Sequence, residues 1–146
     1  MPKVLVVHGD GMDMRGKTQI DVFGTMTLAD YDEYIRGYAA DLSIQVEIFH
    51  SNIESEVIDQ FKKADSEGFD AAIFNPAGYM SGRPALVEAV GALRLPTIEV
   101  HFSNPARRGK FSDIAAVARG VVTGFGIYGY YIALLGLKEI LKDHAG

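Results

Sequence analysis

The run TIEVHFSN, Thr97 to Asn104, begins as a strand and ends as a candidate site. Thr97-Ile98-Glu99-Val100 is a short, largely apolar segment entered through Pro96, and His101-Phe102-Ser103-Asn104 follows at its carboxyl end. Side chains repeat every two residues along a strand, which puts Glu99 and His101 on one side. Upstream, about Pro84 to Leu93 has helical period, with proline near its first turn. A helix followed by a buried strand with polar residues at its tip is half of an α/β repeat, and the rest of the chain extends it.

Four more strand-like runs stand at Val4-Leu5-Val6-Val7, Val46-Glu47-Ile48-Phe49, Ala71-Ala72-Ile73-Phe74 and Gly120-Val121-Val122-Thr123. Most are apolar throughout, as strands covered on both faces should be, while Val46–Phe49 alternates and reads as nearer an edge. Between them, Thr27 caps a helix with Leu28, Tyr31, Ile35, Ala39 and Leu42 on one face. Ser51-Asn52-Ile53-Glu54 reads as a capping box opening a helix with Val57, Ile58 and Phe61 inward. A strongly apolar helix runs from about Tyr128 to Lys142. The alternation predicts one α/β domain over residues 1–146, a flavodoxin-like three-layer sandwich around a five-stranded parallel sheet.

Ligands of such sheets bind beyond the carboxyl ends of the strands. Three of the four histidines, His8, His50 and His101, fall at those ends, where imidazole serves acid–base chemistry. The chain has 146 residues, 48% of them hydrophobic and 23% charged, with a net charge of −5 and no cysteine. That composition is globular and argues against a duplex-binding face, disulfides and thiolate chemistry. No run has the length of a membrane span and no signal-peptide layout opens the chain, so the expectation is a cytoplasmic domain that binds neither nucleic acid nor membrane.

GMDMRGKT, Gly11 to Thr18, spells a phosphate-loop signature. A working phosphate loop runs directly into a helix whose amides hold the anion. Here Gln19-Ile20-Asp21-Val22-Phe23-Gly24 follows, the first helix is expected near Thr27, and Asp10 and Asp13 bring negative charge to the phosphate position. The segment reads instead as a glycine-rich lid, with Gly11, Gly16 and Gly24 letting it fold over the sheet's edge.

A carboxylate two positions from an imidazole can fix its tautomer and aim, which would make His101 a general acid; the alternative is a charged pair that only satisfies itself at a strand end. Asn75, before Pro76, either binds a ligand carboxylate or caps the Pro-Ala-Gly turn. The Phe102 and Ser103 amides with the Ser103 hydroxyl form an anion-binding concavity. Arg83, Arg107, Arg108 and Lys110 add a cationic fringe suited to a small carboxylate. Tyr128, Tyr130 and Tyr131 read as packing. A metal site from His8, Asp10 and Asp13 is a further variant.

Taken together, several segments make the chain resemble the type II dehydroquinases (3-dehydroquinate dehydratases) over almost its full length. They are the lid closing on Val22-Phe23-Gly24, Ser51-Asn52 with Glu54 and Glu56, Asn75-Pro76 with Tyr79, Ile98–Asn104, Gly124-Phe125-Gly126 and Gly129-Tyr130. The resemblance implies a cofactor-free, metal-free lyase that removes a proton beside a ketone and expels a hydroxyl as water, in a homododecamer of trimers. It makes His101 the general acid, Glu99 its orienting carboxylate, and Asn75, Phe102 and Ser103 the substrate-carboxylate clamp.

The same resemblance implies departures. The family's tyrosine base becomes Phe23, its lid arginine Thr18, and the asparagine of its Pro-Asn-Leu-Asn turn Gly11. Its two hydroxyl-contacting residues become Ser81 and Ser112, and its inter-subunit aspartate becomes Glu88. Asp10 or His8 are then candidate replacement bases, and Arg15 a displaced guanidinium. Three readings follow: a lyase on dehydroquinate with a rearranged base, an enzyme on another cyclic or short carboxylic acid, or a non-catalytic carboxylate-binding scaffold.

Overall fold

The computed structural model describes residues 1–145, with side chains through Lys142. Five strands form one parallel sheet in the order β2-β1-β3-β4-β5: β1 Lys3–Asp10, β2 Gln45–His50, β3 Ala71–Ala77, β4 Thr97–His101 and β5 Gly120–Thr123. This is the flavodoxin-like order, in which the winding reverses between β1 and β3 and leaves a crevice at their carboxyl ends. Five helices accompany it: α1 Ile20–Phe23, α2 Leu28–Asp41, α3 Glu54–Ser66, α4 Pro84–Gly91 and α5 Tyr128–Ala145.

The pleat sends alternate side chains into two cores. Val4, Val6, Ile73 and Val100 meet Tyr31 and Ile35 of α2 and Leu134 and Leu137 of α5. Leu5, Val7 and Phe74 meet Val57 and Phe61 of α3 and Leu86 and Val90 of α4. The central strands, apolar on both faces, are buried as expected, and β2 is the half-exposed edge its alternation predicts. At the opposite edge, β5 leaves Val121 exposed although its sequence is apolar. No helix among the described residues is long and apolar enough to cross a membrane.

Two local expectations need correction. A single helical turn, α1, already follows the glycine-rich loop before Thr27, entered through Gln19 in the left-handed region at φ 49°. Ser51 does not form a capping box, because α3 starts later, at Glu54 with Ile53 as its cap. Its hydroxyl instead accepts from Ile53 N and donates to Glu56 Oε1 at 2.7 Å, a local turn that competes with the cap. Thr27 does cap α2, and the capping box is reciprocal with Asp30.

The β1 and β3 ends are held close by Gly9. A Cβ there would stand 2.0 Å from the Pro76 carbonyl oxygen, inside any van der Waals contact. Gly9→Ala must therefore part the two strands where the crevice forms, and should cost about 3 kcal/mol or more of stability. An unchanged denaturant midpoint for this variant would show that the strand ends separate freely.

Candidate active site

At the tip of β4, His101 Nε2 lies 2.5 Å from Glu99 Oε2. Glu99 is fully buried and its second oxygen, Oε1, has no hydrogen-bond partner among the described residues. The strand pleat makes this pair, because two residues of the same parity project side by side. With Nε2 turned to Glu99, Nδ1 is the ring nitrogen left for a ligand. The contact fixes the orientation of the ring, the arrangement of an aimed proton donor.

Beyond His101 the chain turns, and the Phe102 and Ser103 N–H groups have no protein acceptor among the described residues. Ser103 Oγ accepts from Arg108 Nη1 at 3.1 Å. Across the crevice, Asn75 Oδ1 accepts from Ala77 N at 3.2 Å, and Nδ2 donates to the Tyr130 hydroxyl at 3.2 Å. The turn-capping reading of Asn75 therefore holds, and one Nδ2 hydrogen remains for a ligand. Reading Tyr130 as packing alone missed its second task. It lies on the buried stripe of α5, where a phenol's polar tip needs a partner, and that partner fixes Asn75.

His101, Asn75, Phe102 and Ser103 border one cleft of about 360 Å³ at the carboxyl end of the sheet, a size suited to a small ring. The glycine-rich loop lies across it and contributes Gly11, Arg15, Thr18 and Phe23. Gly16 takes φ +81°, and a Cβ there would come 2.7 Å from Thr25 O, so the loop's path requires glycine. The Arg15 guanidinium sits 3.8 Å from the centroid of the Phe23 ring, with Arg108 at 5.8 Å from the same ring. Burial lowers the Arg15 pKa from its ordinary value, partly opposed by the neighbouring Tyr31 phenol. Asp10 and Lys110 complete the charged lining.

Other candidates fall elsewhere. His8 is buried with Nε2 on Asp32 Oδ1 at 2.7 Å, away from the cleft lining, so it is not a base facing a ligand there. The metal variant fails as well. While His8 turns to Asp32, Asp13 accepts from Asn52 Nδ2 at 3.2 Å, and Asp10 turns to the cleft. Among the described residues no cluster could hold a metal ion.

Ser81 borders a neighbouring cavity with Phe111, and Ser112 borders a small one of about 140 Å³ on the other side of His101. Glu88 is exposed on α4 and does not line the cleft of its own chain. The cationic fringe divides. Arg108 and Lys110 reach the cleft, whereas Arg83 pairs with Glu54 at 3.3 Å and Arg107 points to solvent.

An acid–base pair, free backbone amides and cations at the switch point of a parallel sheet define a small-anion site on an α/β fold. The chain matches the family model for Dehydroquinase class II over residues 2–138. It is 41% identical to the 3-dehydroquinate dehydratase of Caldicellulosiruptor bescii, over 97% of this chain and 99% of that protein. With the 3-dehydroquinate dehydratase of Caldanaerobacter subterraneus the identity is 39%, over 100% and 99%. The structure of type II dehydroquinase from Butyrivibrio crossotus superposes with a TM-score of 0.90 at 28% identity, covering 94% of this chain and 97% of that one. The chain belongs to the class II dehydroquinase family.

The phenols packed behind two cleft residues, Tyr130 on Asn75 and Tyr31 on Phe102, predict an alkaline weakness. Burial pushes the Tyr31 and Tyr130 phenols above their ordinary pKa. Unfolded phenols ionise near about pH 10, while the native state keeps these protons, so stability falls as pH rises past that value. Tyr130→Phe should cost about 1–3 kcal/mol at neutral pH by stranding Asn75 Nδ2, and should make the alkaline decline shallower. Denaturant midpoints measured at neutral and alkaline pH test both, and parallel declines for the two proteins would contradict the assignment.

Proposed function

We propose that this protein is a cofactor-independent hydro-lyase of the dehydroquinase type, acting on a small cyclic hydroxy-ketone carboxylic acid, with 3-dehydroquinate as the first substrate to try. The observation that carries the reading is the Glu99–His101 pair opening on the same cleft as the unengaged Phe102 and Ser103 amides. The amides, with Asn75, hold the substrate carboxylate. His101 protonates the departing hydroxyl, and Glu99 acts as a positioning residue that keeps the imidazole aimed. Ser81 and Glu88 lie outside the cleft of one chain. On this reading they serve contacts completed by assembly into a homo-oligomer, Glu88 in a neighbouring subunit's cleft.

Phe23 favours a second reading, a carboxylate-binding protein without turnover, because a phenyl ring on the lid has no proton to exchange. The two differ in one assay. Purified protein mixed with 3-dehydroquinate should show the rising ultraviolet absorbance of a conjugated enone. His101→Asn, which removes the proton-donating ring, should lower that rate by about 10²-fold or more, with circular dichroism checking that the fold is kept. Tight carboxylate binding with no absorbance change would support the second reading. Turnover that survives His101→Asn would remove His101 from the chemistry.

A further inference from the structure

An elimination of this kind needs a group to take the proton beside the ketone. We infer that Asp10 is that base and that Arg15, seated on the face of Phe23, holds the enolate oxygen; the inference rests on the lyase reading above. Asp10 is the one carboxylate bordering the cleft. It takes part in none of the ion pairs or side-chain hydrogen bonds formed among the described residues. Gly78 makes room for it, since a Cβ there would stand 2.8 Å from Asp10 Oδ2. A carboxylate with no partner, at the rim of a cleft whose other charged lining is Arg15, Arg108 and Lys110, is free to accept a proton.

The strand order sets the span. Asp10 ends β1 and His101 ends β4, with β3 between them. Two strand spacings amount to roughly 10 Å between backbones, which leaves a six-membered ring's width once both side chains reach inward. Asp10 pairs with Ala77, and continuing the Phe74–Glu99 register sets His101 beside Pro76, one residue lower and of opposite pleat. The two side chains therefore enter the cleft from the two faces of the sheet, and both border it, so base and acid approach a bound ring from different sides.

Arg15 supplies the third element. It is absent from the ion pairs of the described residues, and its Nε is buried without a hydrogen-bond partner. That nitrogen lies toward the buried Tyr31 phenol, while the residue borders the cleft, where a ligand oxygen can meet the guanidinium. The Phe23 ring 3.8 Å beneath it fixes the guanidinium without neutralising it. Phe23 is then a platform for a cation, a use that needs no ionisable group.

The chemistry balances. The Asp10 carboxylate takes the proton beside the ketone, and the C–H electron pair becomes an enolate whose oxygen accepts from Arg15. The enolate then re-forms the carbonyl and pushes a C=C bond toward the neighbouring carbon. That carbon's C–O bond breaks as His101 gives its Nδ1 proton to the hydroxyl, which leaves as water. Asp10 returns its proton to solvent and His101 regains one, with no oxidant or reductant consumed.

The test follows 3-dehydroquinate in D2O by proton NMR, reading loss of the signal beside the ketone and, separately, growth of the enone. Wild-type protein should do both. Asp10→Asn, nearly isosteric at a side chain without partners, should slow both by about 10²-fold or more with an unchanged thermal midpoint. Arg15→Met should slow exchange by about 10²-fold while the Kd for cyclohexanecarboxylate stays as in wild type. His101→Asn should reduce enone formation more than exchange. Asp10→Asn exchanging at the wild-type rate would overturn Asp10 as base while leaving the lyase reading intact. A lost Kd in Arg15→Met would put the carboxylate on Arg15 and overturn its enolate role. Wild-type protein inert in both readouts would remove the lyase reading and this inference together.

Discussion

Glu99 is fully buried, and its carboxylate has one hydrogen-bond partner, the imidazole of His101. An isolated carboxylate in such a place is costly, and truncating the partner of a buried pair typically costs about 3–5 kcal/mol because the remaining charge is stranded. The pair therefore constrains the molecule in two ways. It ties the end of β4 to one ring orientation, and it keeps an imidazole at the mouth of the crevice instead of in bulk solvent. Every other part of the cleft is arranged around that fixed ring. Phe102 and Ser103 inherit their direction from the turn that follows it, and Tyr31 stacks on Phe102 from α2 at 5.5 Å between centroids.

The opposite wall is fixed by a different chain of contacts. Tyr130 reaches from the buried face of α5 to Asn75, and Asn75 closes the turn after β3 through Ala77. Neither contact needs a ligand to exist, so the amide is already oriented when one arrives. Such preorganisation avoids reordering polar groups on binding, which is where loosely built sites lose affinity. The loop above is built differently. It crosses the cleft on glycine conformations and one helical turn, and its contact with the site runs through Arg15 on Phe23.

The sheet was legible because its three central strands are covered on both faces and so read as largely apolar runs, β4 broken only on the side that carries Glu99 and His101. Edge β5 has the same composition but leaves Val121 exposed, a difference of position that composition does not encode. Glu99 and His101 were legible through strand period alone. The rest of the site depends on contacts distant in sequence: Asn75 with Tyr130, His8 with Asp32, Arg15 with Phe23. His8 illustrates the limit. It stands at a strand end like His101, yet α2 brings Asp32 over it and removes it from the cleft. Ser51 illustrates another, since its side chain chose a local turn over the helix cap that its spacing to Glu54 suggested.

Charge closes the argument about ligand class. The protein carries a net charge of −5, yet the cleft is bordered by Arg15, Arg108 and Lys110 against Asp10 alone. A cation in an acidic protein ordinarily reaches solvent, as the exposed Arg108 and Lys110 do at the cleft rim, or pairs with a surface carboxylate. Arg83 does the latter, on Glu54. Arg15 does neither. It sits over an aromatic ring with part of its guanidinium buried, a placement that forgoes hydration at the border of the cleft. On the lyase reading, a small anion that develops further negative charge during reaction suits that placement, meeting the backbone amides at one end and the guanidinium at the other.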